Sequence, residues 1–255
     1  MEVRRAGDFD YECGGWSYAR HRRTDPRIEA LVHDALGAAR RVINVGAGSG
    51  SYEPVDRYVV AVEPSAQMRS QRPPDRVPAI DATAECLPFD DGVFDAAMAM
   101  VTLHQWSDAA AGLRELRRVA SGPVVILTFD GDALDDFWLA DYVPELVEAE
   151  RHRYQPLDWI ADQLGGTTTV TAVPVPIDCH DGFTEAYYAR PERFLDESVR
   201  RAQSAWGFVD DEVEARAVAR LRADLEDGTW HRKYGHFLER PTLAGSLRLL
   251  TNATG

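Results

Sequence analysis

The chain has 255 residues, 45% of them apolar, which suits one α/β domain of generous size or a compact domain with a cap. Its 42 acidic against 28 basic residues leave a formal net charge of −14, which disfavours nucleic acid as a partner because phosphate binding rests on Lys and Arg. No stretch approaches the roughly eighteen apolar residues of a membrane helix, and the N-terminal MEVRRAGDFDYECGG lacks an apolar signal core, so no membrane association and a cytoplasmic location are expected. Cys13, Cys86 and Cys179 form no CxxC pair, and His180, His231 and His236 fall in no zinc spacing. Neither a disulfide framework nor a bound metal is expected.

In chain order, Thr24-Asp25-Pro26 is an N-cap and first-turn signal, and Ile28, Leu31, Val32, Ala35 and Leu36 mark one helical face behind it. Arg41 to Val45 is a short strand that runs into the loop GAGSG. Tyr58 to Val62 is a second strand closing on Glu63, and Ser65 caps a short helix through Gln71. Val77 to Ile80 and Phe94 to Val101 read as strands, Asp108 to Val119 as an amphipathic helix and Pro123 to Phe129 as a buried strand. This alternation predicts parallel β-α-β units in a doubly wound sheet, with the strand ends and the glycine loop on one ligand-binding edge.

Beyond Asp130 the rhythm changes. Asp132 to Arg153 and Leu157 to Leu164 read as helical, and Thr168 to Ile177 as an edge strand, because Pro174 and Pro176 cannot donate to a ladder. Helical stretches follow over Pro191 to Trp206 and Asp210 to Glu226, with a last strand over Ser246 to Thr251. The expected organisation is a single domain. Its core covers about 24–180 and 241–255, an N-terminal lid segment covers about 1–23, and a helical cap over about 182–236 is inserted late in the chain.

Three segments carry the chemistry. A glycine loop after a first strand lets backbone amides approach a ligand, either a dinucleotide pyrophosphate or the methionyl part of S-adenosylmethionine. Gly46, Gly48 and Gly50 give GxGxG instead of the dinucleotide pattern GxGxxG, and Tyr52 stands where a dinucleotide loop prefers a small residue. Glu63 at the end of the second strand suits both ribose hydroxyls, whichever cofactor is bound.

The third segment separates the two. DATAECLPFDDGVFD (81–95), together with VINVGAGSG and VVAVEPS, resembles the adenine-binding region and preceding motifs of class I S-adenosylmethionine-dependent methyltransferases. The likeness covers about residues 16–130 and is greatest to the small-molecule branch that includes trans-aconitate and ubiquinone-type enzymes. It implies a Rossmann-like, mostly parallel sheet of seven strands and a soluble enzyme, monomer or homodimer. S-adenosyl-L-methionine would be its donor, S-adenosyl-L-homocysteine its product and a small molecule its acceptor.

The resemblance also implies roles for particular residues. Gly46, Ala47 and Gly48 line the methionyl portion. Glu63 holds the ribose, Pro64 and Ser65 shape the turn behind it, and Met68 packs on the adenine. Thr83, Ala84 and Glu85 surround the adenine edge, and Val101 and Thr102 lie beside the sulfonium. Trp16-Ser-Tyr-Ala-Arg-His-Arg is similar to a segment that closes over the cofactor in that branch, with Tyr18 and Arg22 as its candidates. His104, just past the fourth strand, is the candidate to orient or deprotonate the acceptor. One departure stands out: where the family carries Asp or Glu two residues before the first glycine, this chain has Asn44, and Glu53 is the candidate to supply the missing charge.

Methyl transfer to a carboxylate or hydroxyl oxygen of a small organic molecule is the expected reaction, with transfer to carbon or nitrogen as its alternative. An NAD-dependent oxidoreductase and a non-catalytic sensor of the cofactor are the rivals from other classes. The first of these predicts a GxGxxG loop and a later catalytic Tyr–Lys or His–Asp set, and Lys233 is the chain's sole lysine. Cap aromatics such as Tyr187, Trp206 and Tyr234 are expected to shape the acceptor pocket.

Overall fold

A computed structural model describes residues 21–253. Strands β1 (Arg41–Val45), β2 (Tyr58–Val62), β3 (Ala79–Ile80), β4 (Ala96–Met100), β5 (Val124–Phe129), β6 (Thr167–Ala172) and β9 (Leu247–Ala253) form one seven-stranded sheet in the order β3-β2-β1-β4-β5-β9-β6. The first five of these in sheet order are parallel, and β9 runs antiparallel between β5 and β6. β4 and β5 are buried along their whole length and read as continuous apolar runs, as parallel strands covered on both faces do.

Alternation along β1 divides the core. Val42 packs with Ile28 and Val32 of α1 (Pro26–Ala35) and with Leu36 just beyond it, whereas Ile43 and Val45 pack with Leu113 and Leu116 of α3 (Ala109–Val119) and with Ile160 and Leu164 of α5 (Leu157–Leu164). Asp25 caps α1 through the Arg27 amide, Ser65 caps α2 (Ala66–Ser70) through the Met68 amide, and Asp108 caps α3 through the Ala111 amide.

Two sequence expectations need correction. The edge strand read over 168–177 is two strands. β6 sits on the sheet edge, and β7 (Val175–Pro176) leaves it to pair with β8 (Thr242–Leu243). Pro174 breaks the ladder between them, for the reason that suggested an edge in the first place. The helix read over 132–153 is divided as well: residues 131–141 form 3-10 turns and α4 spans Pro144–Arg153, and both share one apolar cluster with the sheet and with the late helical excursion.

Trp138 is the hub of this packing, with ring centroids 5.7 Å from Phe194 and 5.5 Å from Trp230, and its indole N–H donates to the Tyr188 carbonyl at 2.9 Å. The excursion itself comprises α6 (Glu197–Arg201), α7 (Asp211–Glu226), α8 (Thr229–Tyr234) and short 3-10 turns. Because Trp138 is 3% exposed and clasps both stretches, Trp138→Ala is expected to cost about 3–5 kcal/mol of stability. Cofactor affinity is expected to stay within a few-fold. Thermal unfolding and calorimetry on the same preparation check both.

Candidate functional site

The sheet order reverses between β1 and β4, and the carboxyl ends of these strands open the crevice where open α/β sheets bind ligands. Val45 runs into a loop in which Gly46 (φ +68°) and Gly48 (φ +50°) take left-handed conformations. A Cβ on Gly46 would lie 2.1 Å from the Thr102 hydroxyl oxygen, so the loop and the end of β4 touch. One on Gly48 would come to 3.3 Å from the Met68 methyl group. The bare backbone forms a shallow cradle between the two strand ends.

Glu63 closes β2 beside that cradle. It is buried, and its carboxylate accepts from the Gly48 amide at 2.8 Å and from the Ser65 amide at 2.9 Å. Burial raises its pKa, against the pull of those two amides. Pro64 is exposed, and Ser65 turns the chain into α2, which carries the buried Met68 up to the loop. Gly46, Ala47, Gly48, Glu63, Ser65 and Met68 are thus brought together as the sequence implied.

On the other side of the crevice, Ala84 is buried against Gly112 of α3. Thr83 is exposed, and its side chain hydrogen-bonds the Glu85 carboxylate. That carboxylate also accepts from the Ser107 hydroxyl at 2.9 Å and the Asp108 amide at 3.1 Å. These contacts pull its pKa below the usual glutamate value against the opposing effect of burial. Glu85 therefore ties the 83–85 segment to the start of α3.

The charge proposed for Glu53 is already taken. Its carboxylate is 1% exposed, pairs with Arg72 at 2.7 Å and accepts from the Asn44 amide at 3.0 Å. Arg72 also donates to the Gly48 carbonyl at 3.1 Å, so the pair braces the loop from behind. Glu53 does not replace the missing acid at Asn44; it neutralises an arginine.

Val101 and Thr102 leave β4 at the centre of the crevice. Val101 holds φ +52°, a rare conformation for a β-branched residue, and Tyr52 in the facing loop holds φ +62°. Such outliers cluster where surrounding structure holds a site in shape. Beyond Val101 lies a cavity of about 30 Å³, room for roughly two water molecules. Its polar wall includes Arg22, His104, Glu150, Tyr154, Thr184 and Glu185, and Phe129 and Phe183 form apolar wall.

His104 is 5% exposed, stands edge-on to Tyr154 at 5.1 Å, and has no partner for Nδ1. Burial, reinforced by the charges of Arg153 and Arg22, holds its pKa well below the ordinary histidine value. The imidazole stays neutral, so it can orient an acceptor but is a weak base. Arg22, expected against the cofactor, pairs with Asp181 at 2.6 Å and reaches the cavity wall beside Val101. Tyr52 donates to the same carboxylate at 2.8 Å. Tyr18 lies outside the described residues.

The aromatics chosen from the cap are not where they were expected. Tyr187 and Trp206 are buried in the cap core against Phe194, and Tyr234 hydrogen-bonds Asp141. Glu150, Glu185, Gln203 and Ser246 line the cavity and were missed, because lone polar residues far apart in sequence carry no spacing signal.

A glycine loop after β1, a carboxylate closing β2 and the 83–85 segment after β3 lie along a sheet of order 3-2-1-4-5-9-6, with five parallel strands and an antiparallel β9, the architecture of the class I methyltransferase fold. Residues 43–126 match the family model of a methyltransferase domain. The chain is 35% identical over 100 residues to the demethylmenaquinone methyltransferase of Mycolicibacterium gilvum, covering 37% of this chain and 44% of that protein. It is 31% identical over 125 residues to a ubiquinone/menaquinone biosynthesis C-methyltransferase of a Geobacter strain, covering 42% and 53%.

The chain thus spans about half the length of these curated relatives. A crystal structure from Anabaena variabilis, described as a methyltransferase from an antibiotic biosynthesis pathway, superposes with TM-score 0.85 at 29% identity. The superposition covers 92% of this chain and 100% of that one. Among the described residues, no helix is long and apolar enough to cross a membrane.

Proposed function

We propose that this chain transfers the methyl group of S-adenosylmethionine to a small organic acceptor that carries an ionisable hydroxyl, of phenol or enol type. The observation that carries this reading is that two successive residues at the end of β4 meet the two sites: Thr102 touches the glycine cradle, and Val101 lines a polar cavity. The bound donor supplies an electrophilic methyl group. Gly46, Ala47 and Gly48 present backbone to the methionyl part, Glu63 accepts from the ribose, and Met68, Thr83, Ala84 and Glu85 border the adenine. Val101 and Thr102 separate the donor from the acceptor cavity, and alignment with exclusion of water is the protein's main contribution.

Of the two oxygen acceptors expected from sequence, hydroxyl fits the cavity better than carboxylate. Glu150 and Glu185 both line the wall beside Arg22, and their carboxyl oxygens can accept from an acceptor hydroxyl but not from an acceptor carboxylate. Unpartnered nitrogens on Gln203 and His104 suit an acceptor that brings oxygen to them. Transfer to a ring carbon activated by the same hydroxyl is the second reading. It is favoured by the similarity to quinone-pathway methyltransferases, although that similarity lies in the donor half of the chain.

Incubation with methyl-labelled donor and a panel of phenols, enols and simple carboxylic acids tests the proposal. Label is expected on phenols or enols, with the atom methylated read by NMR. Transfer confined to acids without a hydroxyl, or no transfer, would overturn it.

A further inference from the structure

The two cavity carboxyls differ in their surroundings. Glu150 on α4 is paired with Arg153 at 3.3 Å and accepts from the Tyr154 hydroxyl at the same distance. Glu185 is 2% exposed and has no cation within bonding reach among the described residues. Its donors are neutral and come from the residue just before β9: the Ser246 amide at 2.9 Å and the Ser246 hydroxyl. The backbone makes room for it, since a Cβ on Gly245 would lie 2.3 Å from the Glu185 carboxyl oxygen.

Side chains with unused hydrogen-bonding capacity surround the same space. Gln203 is 4% exposed, its oxygen accepts from the Thr184 hydroxyl at 3.0 Å, and its amide nitrogen has no partner. His104 Nδ1 is likewise unpartnered. A carboxylate fixed by neutral donors, in a cavity with unpartnered nitrogens, is arranged to receive a proton from something that is bound there.

Resting on the reading of the site given above, we infer that Glu185 is the base that takes the acceptor's hydroxyl proton, and that Ser246 and Gly245 hold its carboxylate for that task. The O–H bond breaks and its proton passes to the carboxylate. An electron pair of the acceptor oxygen, or of the ring carbon conjugated with it, forms the new bond to the methyl carbon. The cleaved S–C pair stays on sulfur, and the proton leaves to solvent with the product.

Burial lifts Glu185 to about 7, opposed by the Ser246 donors, raised further by Glu150 and lowered by Arg248. The other charged or titratable groups facing this space are Arg22, His104 and Tyr154, with Asp130 held by Arg248. A base that ionises near neutrality is suited to proton abstraction at that pH. Its working form is the anion, so turnover is expected to fall as pH drops through about 7.

The test compares wild type with Glu185→Gln, which keeps an oxygen acceptor for Ser246 but cannot take the proton. Single-turnover methyl transfer to the acceptors found in the panel is followed from pH 5.5 to 9, alongside homocysteine-product affinity, melting temperature and the carboxyl infrared band. Glu185→Gln is expected to bind S-adenosylhomocysteine within about two-fold of wild type, and to lose about 100-fold or more in rate. It is also expected to lose the acidic limb of the profile and the matching carboxyl titration.

Ser246→Ala keeps the base but removes a donor that favours its anion, so the limb and the infrared titration are expected to move to higher pH. This variant decides the matter if Glu185→Gln does not fold. A Glu185→Gln enzyme with wild-type rate and an unchanged limb overturns the inference, as does an unmoved limb in Ser246→Ala. Absence of transfer to any phenol or enol by wild type refutes the reading of the site, and the inference falls with it.

Discussion

Replacing Gly46 with alanine is expected to abolish measurable binding of S-adenosylhomocysteine and to destabilise the fold. The added Cβ would sit 2.1 Å from the Thr102 hydroxyl oxygen and within 2.8 Å of the Thr102 Cγ2 and Cβ atoms. It would also have to adopt φ +68°, which costs an L-residue roughly 1–2 kcal/mol before any overlap is relieved. Relief means pushing apart the glycine loop and the end of β4, an overpacking worth about 1–3 kcal/mol more. Those are the two elements that border the cradle, so any relaxation widens it. Differential scanning calorimetry and titration calorimetry read the two effects. An alanine variant that melts and binds like wild type would mean that the loop and β4 are not in contact.

Glu63→Ala is expected to weaken S-adenosylhomocysteine binding by about 2–4 kcal/mol, or roughly 30- to 1000-fold, because one charged acceptor serves two hydroxyls. The same carboxylate holds the Gly48 and Ser65 amides, so a modest loss of stability is expected as well, at a strand end rather than in the core. The raised pKa adds a sign that can be checked. Acidification protonates Glu63 at a higher pH than an ordinary glutamate, so cofactor affinity is expected to decline early as pH falls. In Glu63→Ala that part of the pH dependence disappears. A variant with unchanged affinity would place the ribose elsewhere.

The donor half was legible because its signals are local. A glycine loop, a carboxylate after the next strand and the 83–85 segment after the third occur in order along the chain, and the parallel sheet brings them to one edge without further information. The acceptor half was not. Residues 132–153 read as one helix but are 3-10 turns followed by α4, and a helical reading does not state what buries the segment. These residues pack on the late excursion through Trp138.

Glu185 and Ser246 are 61 positions apart, and nothing in the spacing links a lone glutamate to a serine that follows a glycine. The same limit hid the pairing of Glu53 with Arg72, which turned an expected cofactor contact into a brace for the loop. Tyr187, Trp206 and Tyr234 were attractive as pocket residues because they are aromatic, and large aromatics more often fill cores, as they do here.

The central claim is that the crevice between β1 and β4 accepts an S-adenosyl donor and not a dinucleotide. Titration calorimetry of the purified protein against S-adenosylhomocysteine and against NAD tests it most directly. Saturable binding of S-adenosylhomocysteine with no detectable heat from NAD is the predicted result. Binding of NAD without binding of S-adenosylhomocysteine would contradict it.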